Sequence, residues 1–120
     1  PIWYFHDVRD LIRALSRAED DSVYLDVDLD YFTIDQQGDR EPSAMGNRAV
    51  YRFFSLRRPL ISAIHERLVG MTVALEPKFC GGYANSLRLF NALNREMFEG
   101  TLGTNNCRWR RLPERVQGGA

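Results

Sequence analysis

Three aspartates at alternate positions close an apolar segment, which reads VYLDVDLD at residues 23–30. Because successive side chains of an extended chain point to opposite faces, Asp26, Asp28 and Asp30 are expected to share one face of a strand. Alternate carboxylates lie about 6.6 Å apart and repel one another, whereas Mg²⁺ or Mn²⁺ would attract all of them. The spacing predicts a metal site. The alternative is that the strand ends at Leu25 and the acids are turn residues in solvent.

A fourth carboxylate follows a second apolar segment. Residues 71–75 are predicted to form a strand, and Glu76-Pro77 stops it. The carboxyl ends of parallel strands lie at one edge of a sheet, so Glu76 is expected to join the three aspartates there. The alternative for Glu76 is that it opens a turn and faces water.

The first half of the chain alternates between strands and helices. Residues 2–5 are aromatic and β-branched, which is typical of a strand, and residues 23–27 form the next one. Between them, Asp7 is the predicted N-cap of a helix with apolar residues at helical spacing. An apolar strand of this kind is typical of a parallel sheet covered by helices.

The second half continues the alternation after a polar loop at residues 33–47. Helices are predicted at 48–54 and from Pro59 to a stop at Gly70. A long helix follows at 84–98, with these residues expected to face inward: Leu87, Phe90, Ala92, Leu93 and Met97. The pattern predicts an α/β fold with parallel strands and right-handed crossovers in residues 1–100. Residues 101–120 are predicted to be a flexible tail.

Composition limits the class of protein. The 120 residues are 44% hydrophobic and carry a formal net charge of zero, which favours one soluble globular domain and no nucleic-acid partner. No apolar run approaches the ~20 residues that span a bilayer. Two isolated cysteines, Cys80 and Cys107, favour a reducing cytoplasm. The start at Pro1, directly before a predicted strand, favours a fragment of a longer protein.

Two motifs carry a resemblance to a known family. LDVDLDYF at residues 25–32, followed by MTVALEPKFCGG at 71–82, resembles the C-terminal portion of the arginase/ureohydrolase superfamily, in particular its UPF0489 branch with the peptide arginases. The resemblance covers roughly residues 2–99. It implies part of a three-layer α/β fold, and two Mn²⁺ ions in the complete protein.

The resemblance also implies roles for individual residues. Asp26 and Asp28 match the family's metal ligands, and Glu76 matches the glutamate that contacts the substrate guanidinium. Asp30 would be a ligand, an orienting group or a proton shuttle. The aspartate-proline pair that ends the family motif is replaced by Asp30-Tyr31-Phe32. The upstream histidine and D-x-H-x-D ligands have no match, which implies an incomplete metal centre.

The function implied is metal-dependent hydrolysis of a C–N bond in a guanidinium or amidine substrate, such as peptidyl arginine giving ornithine and urea. One alternative is a Mg²⁺-dependent phosphoryl-transfer or nuclease-type enzyme, in which Lys78 or Arg40 would bind phosphate. Another is a degenerate, non-catalytic binding module with an exposed apolar sheet edge. The sequence does not specify the oligomeric state.

Other reactive residues have structural interpretations. We interpret His6 and His65 as structural side chains, and Cys80 as a small buried residue and not a nucleophile. The basic run at 108–111 could stack on nucleic acid. An unstructured tail is the favoured interpretation of that run.

Overall fold

The structure, a computed structural model, describes residues 4–17, 22–34 and 42–103. Along the chain these contain α1 (Val8–Arg17), β1 (Val23–Asp28), a 3-10 helix (Leu29–Phe32), β2 (Thr33–Ile34), β3 (Ser43–Ala44), α2 (Asn47–Ser55), α3 (Arg58–His65), β4 (Leu68–Ala74) and α4 (Tyr83–Phe98). Strands β1 and β4 form a parallel pair, and β2 and β3 form a short antiparallel pair. The predicted α/β class with a parallel sheet is confirmed.

The two faces of the β1–β4 pair have different surroundings. Leu25 and Val27 of β1, with Met71 and Val73 of β4, pack against the buried core. The core residues come mainly from the 3-10 helix and helices α2, α3 and α4: Leu29, Phe32, Val50, Phe54, Ile61, Leu68, Cys80, Leu89, Ala92, Leu93, Met97 and Phe98. On the opposite face, Tyr24, Asp26 and Thr72 are exposed. Within the described residues, the helices therefore cover one face of the pair.

Local sequence explains the ends of several helices. The Asp7 carboxylate accepts a hydrogen bond of 2.8 Å from the Arg9 amide, which confirms the predicted N-cap of α1. Pro59 is in the first turn of α3, where its missing amide costs nothing. Helix α4 ends at Phe98, and Glu99 follows in the left-handed conformation with φ 55°.

An ion pair between a half-exposed arginine and a buried glutamate joins the start of α3 to the end of α4. The Arg58 guanidinium donates to the Glu96 carboxylate and to the Glu96 backbone carbonyl, each at 2.7 Å. The Glu96 side chain is only 5% exposed. Because one guanidinium contacts both the side chain and the backbone, this pair fixes the position of α3 against α4.

Several expectations about local structure are wrong. Helix α3 ends at His65, and both Leu68 and Gly70 belong to β4. Parts of the predicted loop at 33–47 form β2, β3 and the first residue of α2. Leu87 is 46% exposed, and the neighbouring Leu89 is buried in its place.

The described residues include only parts of the predicted first strand and of the predicted C-terminal tail. Tyr4 and Phe5 are described outside any strand, and residues 2 and 3, the first half of the predicted strand, lie outside the described residues. Leu102 still contacts α4, since its amide donates to the Asn94 side chain at 3.0 Å. Residues 104–120, with Cys107, lie outside the described ranges. No helix within those ranges has the length and apolar character needed to cross a membrane.

Candidate functional site

Two of the predicted ligands lie side by side on the exposed face of β1. The strand runs to Asp28, and its residues alternate between partly buried and exposed. Asp26 and Asp28 are both exposed, on the face opposite Leu25 and Val27. The alternative in which the strand ends at Leu25 is therefore wrong. The strand gives both carboxylates one orientation, as the alternating spacing predicted.

Asp26 has a partner on the neighbouring strand. In the parallel register, Asp26 lies opposite Thr72 and Asp28 lies opposite Ala74. The Thr72 hydroxyl donates a hydrogen bond to the Asp26 carboxylate. A donor of this kind fixes the orientation of a carboxylate and leaves its other lone pairs available to a ligand.

Asp30 does not share the strand face, and that expectation is wrong. The chain leaves β1 after Asp28 and forms the 3-10 helix of Leu29–Phe32. Residues three apart eclipse one another in such a helix, so that Leu29 and Phe32 are both buried in the core. Asp30 lies between them and is partly buried. Burial of the flanking apolar residues therefore outweighs continuation of the strand.

Glu76 lies where the parallel register places it, just beyond the carboxyl end of β4. Its backbone is left-handed, with φ 43°, a conformation that is uncommon for a residue other than glycine. The Glu76 carbonyl accepts hydrogen bonds from the amides of Phe79 and Cys80, both at 3.0 Å. This turn directs the chain from β4 toward α4. It holds Glu76 partly buried at the same sheet edge as Asp28.

Cys80 is a buried thiol in the turn between β4 and α4. The thiol is fully buried, with Sγ 3.5 Å from the Leu75 carbonyl oxygen. Burial raises the pKa of Cys80, and the negative charges of Asp30 and Glu76 raise this pKa further. The thiol therefore stays protonated at neutral pH. The predicted burial of Cys80 is confirmed.

The four carboxylates do not form one cluster. Asp26 and Asp28 lie on the strand face, whereas Asp30 lies in the 3-10 helix after β1 and Glu76 lies in the turn after β4. Within residues 4–17, 22–34 and 42–103, no three His, Cys, Asp or Glu side chains are grouped closely enough to hold one ion. A complete ion site would need donors from outside these ranges.

A cavity of about 560 Å³ opens beside Asp30. Asp30 and Thr33 line one part of it, and Lys78 and Phe79 come from the turn after β4. Lys78 is exposed. The cavity therefore presents charges of both signs, and a ligand with a polar or zwitterionic group would be complementary to it.

The two histidines of the described residues differ in burial. His65 is buried, with its ring 5.2 Å from the Phe98 ring, and Nδ1 has no hydrogen-bond partner. Burial lowers the pKa of His65, and a hydrogen bond with the Met97 backbone opposes this shift only in part. His65 is therefore a neutral side chain of the core, which agrees with a structural role. His6 is exposed just before α1.

The sequence analysis did not identify Thr72, although the pairing of the two strands would have placed it beside Asp26. Once residues 23–28 and 68–74 are paired as parallel strands, the register alone sets Thr72 beside Asp26. The contact between Arg58 and Glu96 has no such signal, because 38 residues separate the two side chains.

Comparison of the chain with protein-family models, curated proteins and solved structures found no match. The resemblance to ureohydrolases therefore rests on the two motifs at residues 25–32 and 71–82 alone.

Proposed function

We propose that this chain carries part of the active site of a divalent-metal hydrolase that cleaves a C–N bond in a guanidinium or amidine substrate. One observation supports the proposal most: Asp26 and Asp28 project from one exposed strand face, and Glu76 lies at the carboxyl end of the adjacent parallel strand. Carboxylate oxygens are the donors that Mn²⁺ and Mg²⁺ prefer.

Asp26 and Asp28 would hold the metal from the strand, with the Thr72 hydroxyl keeping the Asp26 carboxylate in place. A pair of bound divalent ions would supply an activated water at neutral pH. The described residues supply too few donors for a complete site. The remaining ligands would come from residues outside those ranges or from a longer chain.

Glu76 would bind the cationic end of the substrate. A carboxylate can accept two parallel hydrogen bonds from a planar guanidinium, and the left-handed turn holds the Glu76 backbone in a fixed position. Asp30 follows β1 in the 3-10 helix and lines the cavity that also contains Lys78. It would orient the substrate or accept a proton from it.

Hydrolysis is tested by urea release from arginine-containing peptides in the presence of Mn²⁺. A protein that contains this chain together with the remaining ligands should release urea, and Asp26→Asn/Asp28→Asn should abolish the release. A matched control, Asp10→Asn/Glu66→Gln, removes two negative charges from exposed positions outside the sheet and should leave the release unchanged. Equal release from all three proteins, or release without metal, would rule out the proposal.

A second candidate function is Mg²⁺-dependent phosphoryl transfer. The observation that favours it is the position of Lys78, which lines the same cavity as Asp30 and could bind a phosphate as a point charge. Arg40, the other candidate, lies outside the described residues. Phosphodiester cleavage that requires Mg²⁺ and is lost in Lys78→Gln, without urea release, would favour this function over the first.

A further inference from the structure

A groove runs along the exposed side of α4, next to the first residue of α2. Its volume is about 400 Å³, which is within the range of ~300–1,000 Å³ that is typical of ligand sites. Two arginines of α4, Arg88 and Arg95, line it together with Leu87, two asparagines and two alanines. None of these lining residues is a carboxylate. The groove therefore carries positive charge, and an acidic ligand would be complementary to it.

Both arginines keep hydrogen-bonding capacity for a ligand. Arg88 donates to the side-chain oxygen of Asn47 at 2.8 Å, and this partner is neutral. Arg95 is 61% exposed and lies 3.5 Å from the Glu96 carboxylate, which already accepts a shorter hydrogen bond of 2.7 Å from Arg58. Because a guanidinium has five N–H donors, Arg88 and Arg95 can each still bind a carboxylate.

The two helices beside the groove do not neutralise this charge. Helix α2 contains Arg48 and Arg52 and no acidic residue. Helix α4 contains a single acidic residue, Glu96, which is buried and paired with Arg58. Positive charge is therefore in excess on the surface formed by α2 and α4, although the formal net charge of the whole chain is zero.

The groove also offers apolar surface. Leu87 lines it and is 46% exposed, and Tyr83, one turn earlier on α4, is 63% exposed. Tyrosine and arginine around an apolar centre are the residue types that protein interfaces favour. A nucleic-acid backbone would bind the arginines through its phosphates, but it would bring no apolar group to Leu87. The surface therefore favours a protein partner.

We infer that this groove binds an acidic helix of a partner protein. Arg88 and Arg95 are seven residues apart, so they share one face of α4 and lie about 10.5 Å apart along its axis. Two carboxylates seven residues apart on a partner helix have the same spacing, and each can accept two hydrogen bonds from one guanidinium. Ala84 and Ala92 have short side chains, which lets the partner helix pack closely against α4.

Binding of a labelled probe peptide tests the inference by fluorescence anisotropy. The probe is a synthetic helix with two glutamates seven residues apart and leucines between them, and the control peptide has glutamine in place of both glutamates. The intact chain should bind the probe about tenfold more tightly than the control peptide. Arg88→Gln/Arg95→Gln should remove this preference. Arg9→Gln/Arg13→Gln, which changes two exposed arginines of α1, should retain it.

A second variant and an NMR titration distinguish docking in the groove from general attraction between opposite charges. Leu87→Gln leaves the charge unchanged and should still weaken binding of the probe, because the apolar contact is lost. In the intact chain, the probe should shift the amide resonances of residues 84–95 more than those of α1. Equal shifts in the two helices would count against the groove as the binding site.

Three results would overturn the inference. The first is equal affinity of the probe for the intact chain and for Arg88→Gln/Arg95→Gln. The second is tighter binding of a DNA duplex than of the probe at the same ionic strength, which would assign the surface to nucleic acid. The third is a concentration-dependent dimer of the intact chain that Arg88→Gln/Arg95→Gln abolishes, which would assign the groove to a second copy of the chain.

Discussion

The two faces of the β1–β4 pair show how one short strand serves two purposes. Leu25 and Val27 pack on the helices, whereas Asp26 and Asp28, one residue further along in each case, remain exposed. Because side chains alternate along a strand, the apolar set that anchors β1 also determines where the acidic set points. The covered face should therefore govern stability, and the exposed face should govern ligand binding.

A substitution in the core on the covered face should have the largest effect on the free energy of unfolding. Leu29 is fully buried directly after β1, so Leu29→Ala is expected to lower the free energy of unfolding by about 2–5 kcal/mol. Asp28→Asn, at the neighbouring exposed position, should change it by less than about 0.5 kcal/mol. Urea denaturation measures both values. Similar losses in the two variants would contradict the division between the faces.

A smaller loss is expected from the ion pair that fixes the helices of the covered side. Arg58→Met leaves the buried Glu96 carboxylate without its main partner, which should cost about 1–3 kcal/mol. The matched variant, Arg9→Met, breaks the pair with Asp7, in which the side chains are 81% and 45% exposed. Because water screens this exposed pair, the loss in Arg9→Met should be clearly smaller than the loss in Arg58→Met in the same denaturation experiment. Equal losses would show that burial does not distinguish the pairs.

The pH dependence of stability should also come from the covered side. Burial lowers the pKa of His65 in the folded protein below the ordinary value of 6.5, so the unfolded chain binds the proton more readily. This contribution is complete above pH 6.5 and is lost as the pH falls through the lowered pKa. His65→Leu should therefore lose less stability than the intact chain between pH 7 and pH 5. If the free energy of unfolding fell equally with pH in the two proteins, His65 would not be the source of the pH dependence.

The smallest effect on stability is expected for a substitution beside Tyr24 on the exposed face. A Cβ at Gly70 would lie 2.6 Å from the Tyr24 ring, which is itself 63% exposed and able to move. Gly70→Ala should therefore cost less than about 1 kcal/mol. The cost should disappear in a Tyr24→Ala background, where Ala is better than Gly in a strand. A cost that is the same in both backgrounds would place its cause in the backbone.

The sequence predicts the locally determined elements well. Asp7 and the apolar spacing after it predict α1, and the Gly81-Gly82 break predicts the start of α4 to within a residue or two. The predicted end of α3 is wrong because Leu68 fits both the apolar stripe of a helix and the pattern of a strand. The pairing of residues 68–74 with β1 decides between them. The pairing of Thr33–Ile34 with Ser43–Ala44 likewise depends on contacts across the intervening residues.

Parts of the candidate site were likewise predictable from the sequence, and other parts were not. Alternation alone predicts the shared orientation of Asp26 and Asp28, and parallel topology predicts the edge at which Glu76 lies. Alternation fails at Asp30, because burial of Leu29 and Phe32 turns the chain into a 3-10 helix. Metal binding and hydrolysis depend on groups beyond these four carboxylates, and both remain predictions.

Mn²⁺ titration by calorimetry tests the central claim most directly, with the intact chain, Asp26→Asn/Asp28→Asn and the control Asp10→Asn/Glu66→Gln compared side by side. The intact chain and the control should bind Mn²⁺ with equal affinity, and the Asp26/Asp28 variant should lose binding. Thr72→Val should weaken binding by about tenfold or more, because the Asp26 carboxylate loses its donor. Equal Mn²⁺ affinity in the intact chain and the Asp26/Asp28 variant would contradict the proposed role of the exposed strand face.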